Sequence, residues 1–180
     1  MKMRWLATLG STSLIAIPAA YAVQYVTLEQ VKQSAFPDAE EFGEQPVLLN
    51  LEMRSALKFD ADGSSGAPPK LWRASRGDAT LGWLYLDEVI GKTERITYAL
   101  AVDSTGAVRA LEILTYRETH GAEVALPAWR RQFIGKRAGD PVHLGDDIRN
   151  ISGATLSCRH ISDGVHRLLQ LHSRLQLAHD

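Results

Sequence analysis

The stretch ITYALAVDSTGAVRALEILTY, residues 96–116, decides the fold of this chain. From Ile96 to Val102 every second residue is large and apolar and the residues between them are alanine or threonine, which is the period-two pattern of a β-strand. The turn sequence Asp103-Ser104-Thr105-Gly106 predicts a hairpin, because its glycine is suited to a positive φ. Val108–Tyr116 is then the returning strand, and its less regular alternation indicates that both of its faces are covered.

Other strands and helices are predicted on both sides of this hairpin. The segment Thr27-Leu28-Glu29-Gln30 is a capping box, in which the Thr27 hydroxyl accepts from the Gln30 amide and the Gln30 side chain reaches back. The remaining predictions are a helix over Leu28–Phe36, a helix over Pro46–Leu57, strands over Lys70–Arg76 and Leu81–Ile90, and a short helix from Pro127 through Trp129 and Phe133 to Gly135.

Residues 60–69, DADGSSGAPP, interrupt these elements. Glycine, serine and proline at this density cannot continue a helix or a strand, so a flexible loop is predicted. The stretch also resembles the front of a calcium loop, but position twelve counted from Asp60 is Leu71, where such a loop requires glutamate. The flexible loop is therefore the favoured interpretation.

An amphipathic helix is predicted near the C-terminus, from about Ala154 to Gln176. Ile161, Val165, Leu168 and Leu169 follow the i, i+4, i+7, i+8 spacing of one helical face. Strands linked by hairpins and followed by helices indicate an α+β fold: an antiparallel sheet flanked by helices, with a long C-terminal helix.

The first 22 residues are typical of a secretory signal peptide. Lys2 and Arg4 precede the uncharged and mostly apolar segment Trp5–Ala20, and Ala20-Tyr21-Ala22 has the pattern of a cleavage site. An uncleaved membrane anchor is the alternative, although about sixteen apolar residues fall short of the roughly 20 that a spanning helix needs. We expect a periplasmic protein, and an association with the inner membrane stays open.

The composition excludes several classes of function. A chain of 180 residues with a net charge of −1 suits one globular domain, and this charge gives no argument for a nucleic acid as partner. The sequence has no Gly-x-Ser-x-Gly, His-Glu-x-x-His or glycine-rich dinucleotide motif, so no hydrolase or dehydrogenase pattern is present. His160, His166 and His172 are six residues apart and do not share a helical face, so no metal site is expected. The single cysteine, Cys158, is expected to be a small, half-buried helix residue.

The start of the C-terminal helix has the composition of an anion site. Gly153 lets the backbone turn tightly and approach a ligand, and Ala154 adds no bulk. The first amides of a helix lack internal acceptors and lie at the positive end of its dipole. Ser152, Thr155 and Ser157 add hydroxyls, so a phosphate is chemically plausible here; an ordinary capped helix start is the alternative.

The segment Ser152-Gly153-Ala154-Thr155 resembles the flavinylation motif of the FMN-binding domain family, which includes peripheral subunits of the Rnf complex and of the sodium-translocating NADH:quinone reductase. The resemblance implies that a flavin transferase esterifies the FMN phosphate to Thr155. Gly91-Lys92 and the central hairpin resemble the family's hairpin, and Glu118-Thr119-His120-Gly121 resembles its Glu-Thr-Pro-Gly loop beside the flavin. The match spans about Gly82 to Leu171.

This resemblance assigns ten residues to cofactor binding and none to catalysis or metal binding. Trp129 is expected either to stack on the isoalloxazine ring or to anchor the core. The chain divides into a signal peptide (1–22), an N-terminal helical region with a flexible loop (23–69) and an FMN-binding domain (70–180). The assigned residues are Ser152, Gly153, Ala154, Thr155, Leu156, Ser157, Glu118, Thr119, Gly121 and Trp129.

Two positions depart from the family pattern. The family usually has an acidic residue six positions before the modified threonine, and this chain has Arg149 there. His120 stands where the better-known members have proline. Arg149 therefore keeps two alternatives open: noncovalent FMN, and a binding or accessory module without flavin.

The function implied by the resemblance is that of an exported electron-transfer protein carrying covalent FMN. It is a redox carrier or a subunit of an oxidoreductase rather than a stand-alone enzyme. The implied partners are a flavin transferase for maturation and a membrane or periplasmic electron donor and acceptor.

Overall fold

The computed structural model describes residues 23–177, and the signal peptide predicted at residues 1–22 lies outside them. The strands are β1 (Val23–Gln24), β2 (Glu41–Gln45), β3 (Lys70–Arg76), β4 (Ala79–Ile90), β5 (Arg95–Asp103) and β6 (Val108–Tyr116). The helices are α1 (Leu28–Ala35), α2 (Leu51–Ala56), α3 (Pro127–Arg130) and α4 (Thr155–Leu177), with 3-10 turns at Ala122–Ala125 and Arg131–Phe133. Between residues 23 and 177, no helix combines the length and apolarity needed to cross a membrane.

The strands form one antiparallel sheet in the order β1-β6-β5-β4-β3-β2. The predicted hairpin of β5 and β6 lies within it, with Leu100 opposite Leu111 and Ala101 opposite Ala110. Gly106 in the turn has a φ of 83°, as the turn chemistry requires. The α+β class, the antiparallel sheet and the long C-terminal helix are thus confirmed.

The two faces of the sheet bury two separate cores, as the strand pattern predicts. Ile96, Tyr98, Leu100 and Val102 pack in the larger core, which also contains the apolar face of α4. Ala99 and Ala101 lie in the smaller core together with residues of α1. The small residues of β5 therefore face α1, and the large ones face α4.

The N-terminal part differs from its prediction in two places. The capping box of α1 is present: the Gln30 amide donates to Thr27 Oγ1 and the Thr27 amide donates to Gln30 Oε1. The helix expected over Pro46–Leu57 is shorter, because the Asn50 side chain accepts from the Met53 amide and caps α2 at Leu51. β2 was not predicted, and it pairs with β3 at the edge of the sheet.

The segment 60–69 is irregular, as its composition predicts. It is nevertheless tied to neighbouring elements. The Ile90 amide donates to the Gly63 carbonyl, and the Arg54 guanidinium donates to the Gly66 carbonyl and pairs with Asp60. A Cβ at Gly63 would lie 2.3 Å from the His160 ring, so glycine lets this loop lie directly on α4.

α4 begins within one residue of its predicted start and carries the predicted apolar face. Ile161, Val165, Leu168 and Leu169 are at most 1% exposed. Cys158 is fully buried rather than half-buried, and burial raises the pKa of its thiol. The packing of this face against the sheet fixes the position of the N-terminal end of α4.

Candidate functional site

The N-terminal end of α4 presents free backbone amides. Within the described residues, no hydrogen bond is found from the amides of Thr155, Leu156 or Ser157, whereas the Cys158 amide donates to the Ala154 carbonyl. Gly153 has a φ of 82°, and nothing lies within 4 Å of the position its Cβ would take. The backbone here is therefore open to an anion that can accept these hydrogen bonds.

The Thr155 hydroxyl is accessible at this end of the helix. The residue is exposed, and its Oγ1 accepts a hydrogen bond of 3.1 Å from Asn150 Nδ2. Since the Asn150 amide donates, the Thr155 hydroxyl hydrogen and one lone pair are left for other partners.

Two adjoining cavities, which we call together the α4 groove, meet at this point. The first has a volume of about 370 Å³ and lies between residues 118–120, Lys92 and residues 153–157. The second, of about 510 Å³, lies between Tyr25, residues 119–126 except Val124, and residues 152–153. Thr119, His120 and Gly153 line both cavities, so the groove passes directly over the start of α4.

Gly121 fixes the distance between the 118–121 loop and α4. It has a φ of 91°, and a Cβ there would lie 2.2 Å from the Ala154 Cβ and 2.6 Å from the Tyr116 hydroxyl. Tyr116 donates to the His120 carbonyl and shares a 3.1 Å hydrogen bond with Ser157 Oγ. Burial raises the pKa of Tyr116, so the phenol stays protonated as the donor that closes the loop.

Glu118 lines the first cavity, but its carboxylate is occupied by the chain itself. It accepts hydrogen bonds from the Thr93 and Glu94 amides at 2.7 and 2.8 Å. Desolvation acts to raise the pKa of Glu118, but hydrogen bonds from the Glu94, Thr93 and Lys92 backbone and from the Thr93 hydroxyl outweigh it, so the pKa lies below its ordinary value. The group is thus a bound carboxylate near neutral pH.

The structure brings together nine of the ten residues assigned from the sequence. Thr155, Ala154, Gly153, Leu156, Ser157, Glu118 and Thr119 line the first cavity, and Ser152 and Gly121 line the second.

Trp129 is the exception. Its side chain is 5% exposed, its indole N–H donates to the Arg149 carbonyl at 2.8 Å, and its ring packs on Phe133. It lines neither cavity of the groove and belongs to the larger core.

Seven residues of the groove were not among the assigned ones, and three of these are Ala122, Glu123 and Ala125. Lys92 lines the first cavity and His120 both, whereas Tyr25 and Leu126, 37% and 53% exposed, line the second. Lys92 and His120 belong to the motifs Gly91-Lys92 and Glu118-Thr119-His120-Gly121, which the sequence analysis named. Tyr25 reaches the groove only because β1 pairs with β6 at Tyr116. No local sequence signal indicates such a long-range pairing.

Arg149 is exposed and contributes to the fold through its backbone. Its amide donates to Gln132 Oε1 at 2.9 Å, and its carbonyl accepts from Trp129. Because this side chain is exposed, position 149 can hold an acidic or a basic residue without a change in local packing.

These residues fit the expected FMN. Free amides, the exposed hydroxyls of Ser152 and Thr155, and Lys92 suit a phosphate. The exposed side chains of Tyr25, Leu126 and Leu156 suit a flat apolar ring. The size of each cavity lies in the range of ligand pockets, roughly 300–1,000 Å³. This fit depends on the chemistry of the donors and not on any bound group.

Comparison with known proteins agrees with this chemistry. No curated protein matches the chain. Residues 91–170 match the model of the FMN-binding domain, a range that includes the central hairpin, the 118–121 loop and the start of α4. The chain therefore carries an FMN-binding domain at residues 91–170, and this match supports flavin binding.

Proposed function

We propose that this protein is an exported electron-transfer protein whose FMN is esterified through its phosphate to Thr155. The observation that carries the proposal is the exposed Thr155 hydroxyl beside three backbone amides without acceptors in the described chain. A phosphate placed there would accept hydrogen bonds from those amides and lie next to the hydroxyl.

The chain supplies the acceptor for the covalent step. The Thr155 oxygen forms the new bond to phosphorus, and the P–O bond to a leaving group breaks. A phosphate monoester would have to expel hydroxide, so the donor is an activated flavin such as a flavin dinucleotide, and a nucleoside monophosphate leaves with the threonine proton. The partner is accordingly a flavin transferase.

When bound, FMN supplies reversible transfer of one or two electrons. The residues of the chain would hold and orient the flavin and shield its ring from water. The free amides at the start of α4 would hold the phosphate end, and Tyr25, Leu126 and Leu156 would cover apolar ring surface. Among residues 23–177, no group of three or more His, Cys, Asp or Glu side chains is placed to hold a metal ion.

The location follows from the predicted signal peptide at residues 1–22. A covalent link suits an exported protein, because a lost cofactor cannot easily be recovered outside the cytoplasm. We place the electron donor and acceptor in the membrane or the periplasm, and an inner-membrane association is compatible with an uncleaved apolar segment.

The test is the visible spectrum and intact mass of the mature protein from its native host, before and after denaturation. Covalent FMN predicts a yellow protein that keeps its flavin on denaturation. Release of the flavin would favour noncovalent FMN, and a colourless protein made beside a flavin transferase would favour an accessory module. An N-terminus at Val23 would support export with cleavage.

A further inference from the structure

The Glu118 carboxylate is enclosed by the turn that joins β4 to β5. Its Oε1 accepts from both the Thr93 and the Glu94 amides, and its Oε2 accepts from Thr93 Oγ1 at 3.2 Å. The turn is closed on the other side, because the Gly91 amide donates to the Glu94 carbonyl at 2.8 Å. Successive amides that converge on one anion form a nest, and Glu118 fills this one.

Gly91 leaves the room that this arrangement needs. A Cβ at Gly91 would lie 2.5 Å from Glu118 Oε1 and 3.0 Å from Glu118 Cγ. Its φ lies outside the left-handed region, so the glycine is required by the approach of Glu118 and not by the backbone conformation. Gly91 and Glu118, 27 positions apart in the chain, thus form one contact.

Lys92 lies in the middle of the clamped turn and lines the first cavity together with Thr155 and the free amides of α4. Among the residues lining that cavity it is the only lysine or arginine. A lysine on an unsupported turn would lose conformational entropy on meeting a ligand, whereas a fixed turn reduces that cost.

We propose that Glu118 is a positioning residue that clamps the Gly91–Glu94 turn and so holds Lys92 against the phosphate of the flavin. The proposal rests on the proposed FMN site and adds how its cation is held. Glu118 accepts from the chain, and Lys92 is the group that meets the phosphate.

The clamp and simple electrostatics predict opposite changes in phosphate affinity when Glu118 is removed. Glu118 is negative, so its simple removal would favour an anion in the same cavity. If Glu118 acts as a clamp, its removal instead weakens phosphate binding, because Lys92 is released. The two effects therefore have opposite directions.

The test measures the Kd of FMN and of riboflavin, which lacks the phosphate, by fluorescence titration. The protein is the full chain carrying Thr155→Ala, so that no covalent flavin forms. We expect Glu118→Ala and Gly91→Ala each to raise the Kd of FMN about 10-fold, the size of one charged hydrogen bond, and to leave riboflavin within about twofold.

Three further variants complete the design. Lys92→Ala should reproduce the loss, and Glu118→Ala should add nothing to it, since both act through one contact. Glu118→Gln keeps the Oε1 acceptor and should restore the discrimination between FMN and riboflavin. Glu94→Gln changes only an exposed side chain of the same turn and keeps the backbone amide that donates to Glu118, so it should bind both flavins like the reference protein.

The outcomes separate this proposal from the proposed function. Unchanged or tighter FMN binding in Glu118→Ala would overturn the clamp while the FMN site stands. Equal losses for FMN and riboflavin would also overturn it, because a general structural defect does not distinguish the phosphate. If the reference protein binds neither flavin, the FMN site itself fails and the clamp fails with it.

Discussion

At the residue scale, the contact between Gly121 and Ala154 brings together two motifs, residues 118–121 and residues 152–155, that are far apart in the sequence. The loop approaches α4 so closely that Gly121 has no room for a side chain. The Tyr116 hydroxyl closes this contact by bonding to the His120 carbonyl and Ser157. The shape of the groove therefore depends on Gly121, Ala154 and Tyr116, of which Tyr116 lines neither cavity.

Gly121→Ala should destabilise the protein by about 2–4 kcal/mol, because it adds a clash to the strain of a positive φ. Urea unfolding measures this change. Gly139→Ala is the matched control, since Gly139 has a φ of 95° but nothing within 4 Å of its Cβ position; it should lose only about 1–2 kcal/mol. Equal losses would mean that the contact with Ala154 is unimportant.

Arg149→Asp should leave the unfolding free energy within about 0.5 kcal/mol of its original value, because the exposed side chain is not part of the packing. It should raise the fraction of protein that carries covalent flavin when a flavin transferase is present. Absorbance and intact mass give that fraction. Arg149→Ala separates the two effects, since it removes the charge without adding an acid; if loading rises equally in both variants, the acid is not what matters.

Single residues were predictable where chemistry is local. The hydroxyls and the glycine at the start of α4 follow from helix-terminus chemistry, but the inward direction of Trp129 depends on the Arg149 carbonyl, which comes from a different segment. Lys92 is exposed like Lys58 and Lys70, and the contact of Glu118 with its turn is what distinguishes it.

At the scale of elements, α4 is joined to the sheet by a buried ion pair as well as by apolar packing. Arg167 Nη2 donates to Asp87 Oδ2 at 3.0 Å, and the Tyr98 hydroxyl donates to the same oxygen at 2.7 Å. The Arg167 and Asp87 side chains are 6% and 2% exposed. This pair helps to fix how α4 lies on β4 and β5, and hence where its N-terminal end lies.

Asp87→Ala should cost about 3–5 kcal/mol, because it leaves the Arg167 charge buried without a partner. The control is Glu88→Ala, which removes the next residue's ion pair with Arg95; both of those side chains are substantially exposed, so we expect a loss of about 0–1 kcal/mol. Denaturant unfolding checks both values. Similar losses would contradict a structural role for the buried pair.

Elements with a strong local signal were predicted well. The capping box, the alternation in β5 and the apolar face of α4 each fix an element from its own residues. β2 was missed because Glu41-Phe42-Gly43-Glu44-Gln45 has no β-branched residue and a glycine at its centre; its pairing with β3 makes it a strand. α2 was predicted too long because the Asn50 cap was not recognised.

At the scale of the whole molecule, the sheet separates two cores, and α4 covers the larger of them. His172 lies towards the end of α4 that is far from the groove and is 4% exposed. Its Nδ1 shares a hydrogen bond of 2.9 Å with the Tyr85 hydroxyl. Burial lowers the pKa of His172 to about 4. The unfolded chain therefore takes up this proton at a higher pH than the folded chain does.

The contribution of neutral His172 to the unfolding free energy should accordingly be fully present above about pH 6.5. Protonation of the unfolded chain at His172 should then lower the unfolding free energy by about 2 kcal/mol from pH 7 to pH 5. His166, whose pKa is lowered by burial and by His143, adds in the same direction. The carboxylates Asp103, Glu118 and Asp147 also have lowered pKa values, but their contributions are lost only at more acidic pH.

Urea unfolding at several pH values measures this slope. His172→Gln should reduce it, since the amide can still bond to Tyr85 but cannot take up a proton. A slope that His172→Gln leaves unchanged would assign the effect to other groups.

The fold class was predictable because five of its features are local: two strand patterns, one turn and two helix starts. The strand order was not, because the position of β1 beside β6 brings together residues more than 90 positions apart. The second cavity of the groove depends on that pairing through Tyr25, and so the sequence predicted the phosphate end of the site better than its ring end.

The central claim, that Thr155 carries the flavin phosphate at the start of α4, is tested most directly by peptide mass mapping of protein produced with a flavin transferase. The peptide containing Thr155 should be heavier by FMN less one water, and Thr155→Ala should lose this increment while keeping a folded structure. Thr155→Ser, which retains a hydroxyl, should keep some of it. An increment on any other residue, or one that persists in Thr155→Ala, would contradict the account.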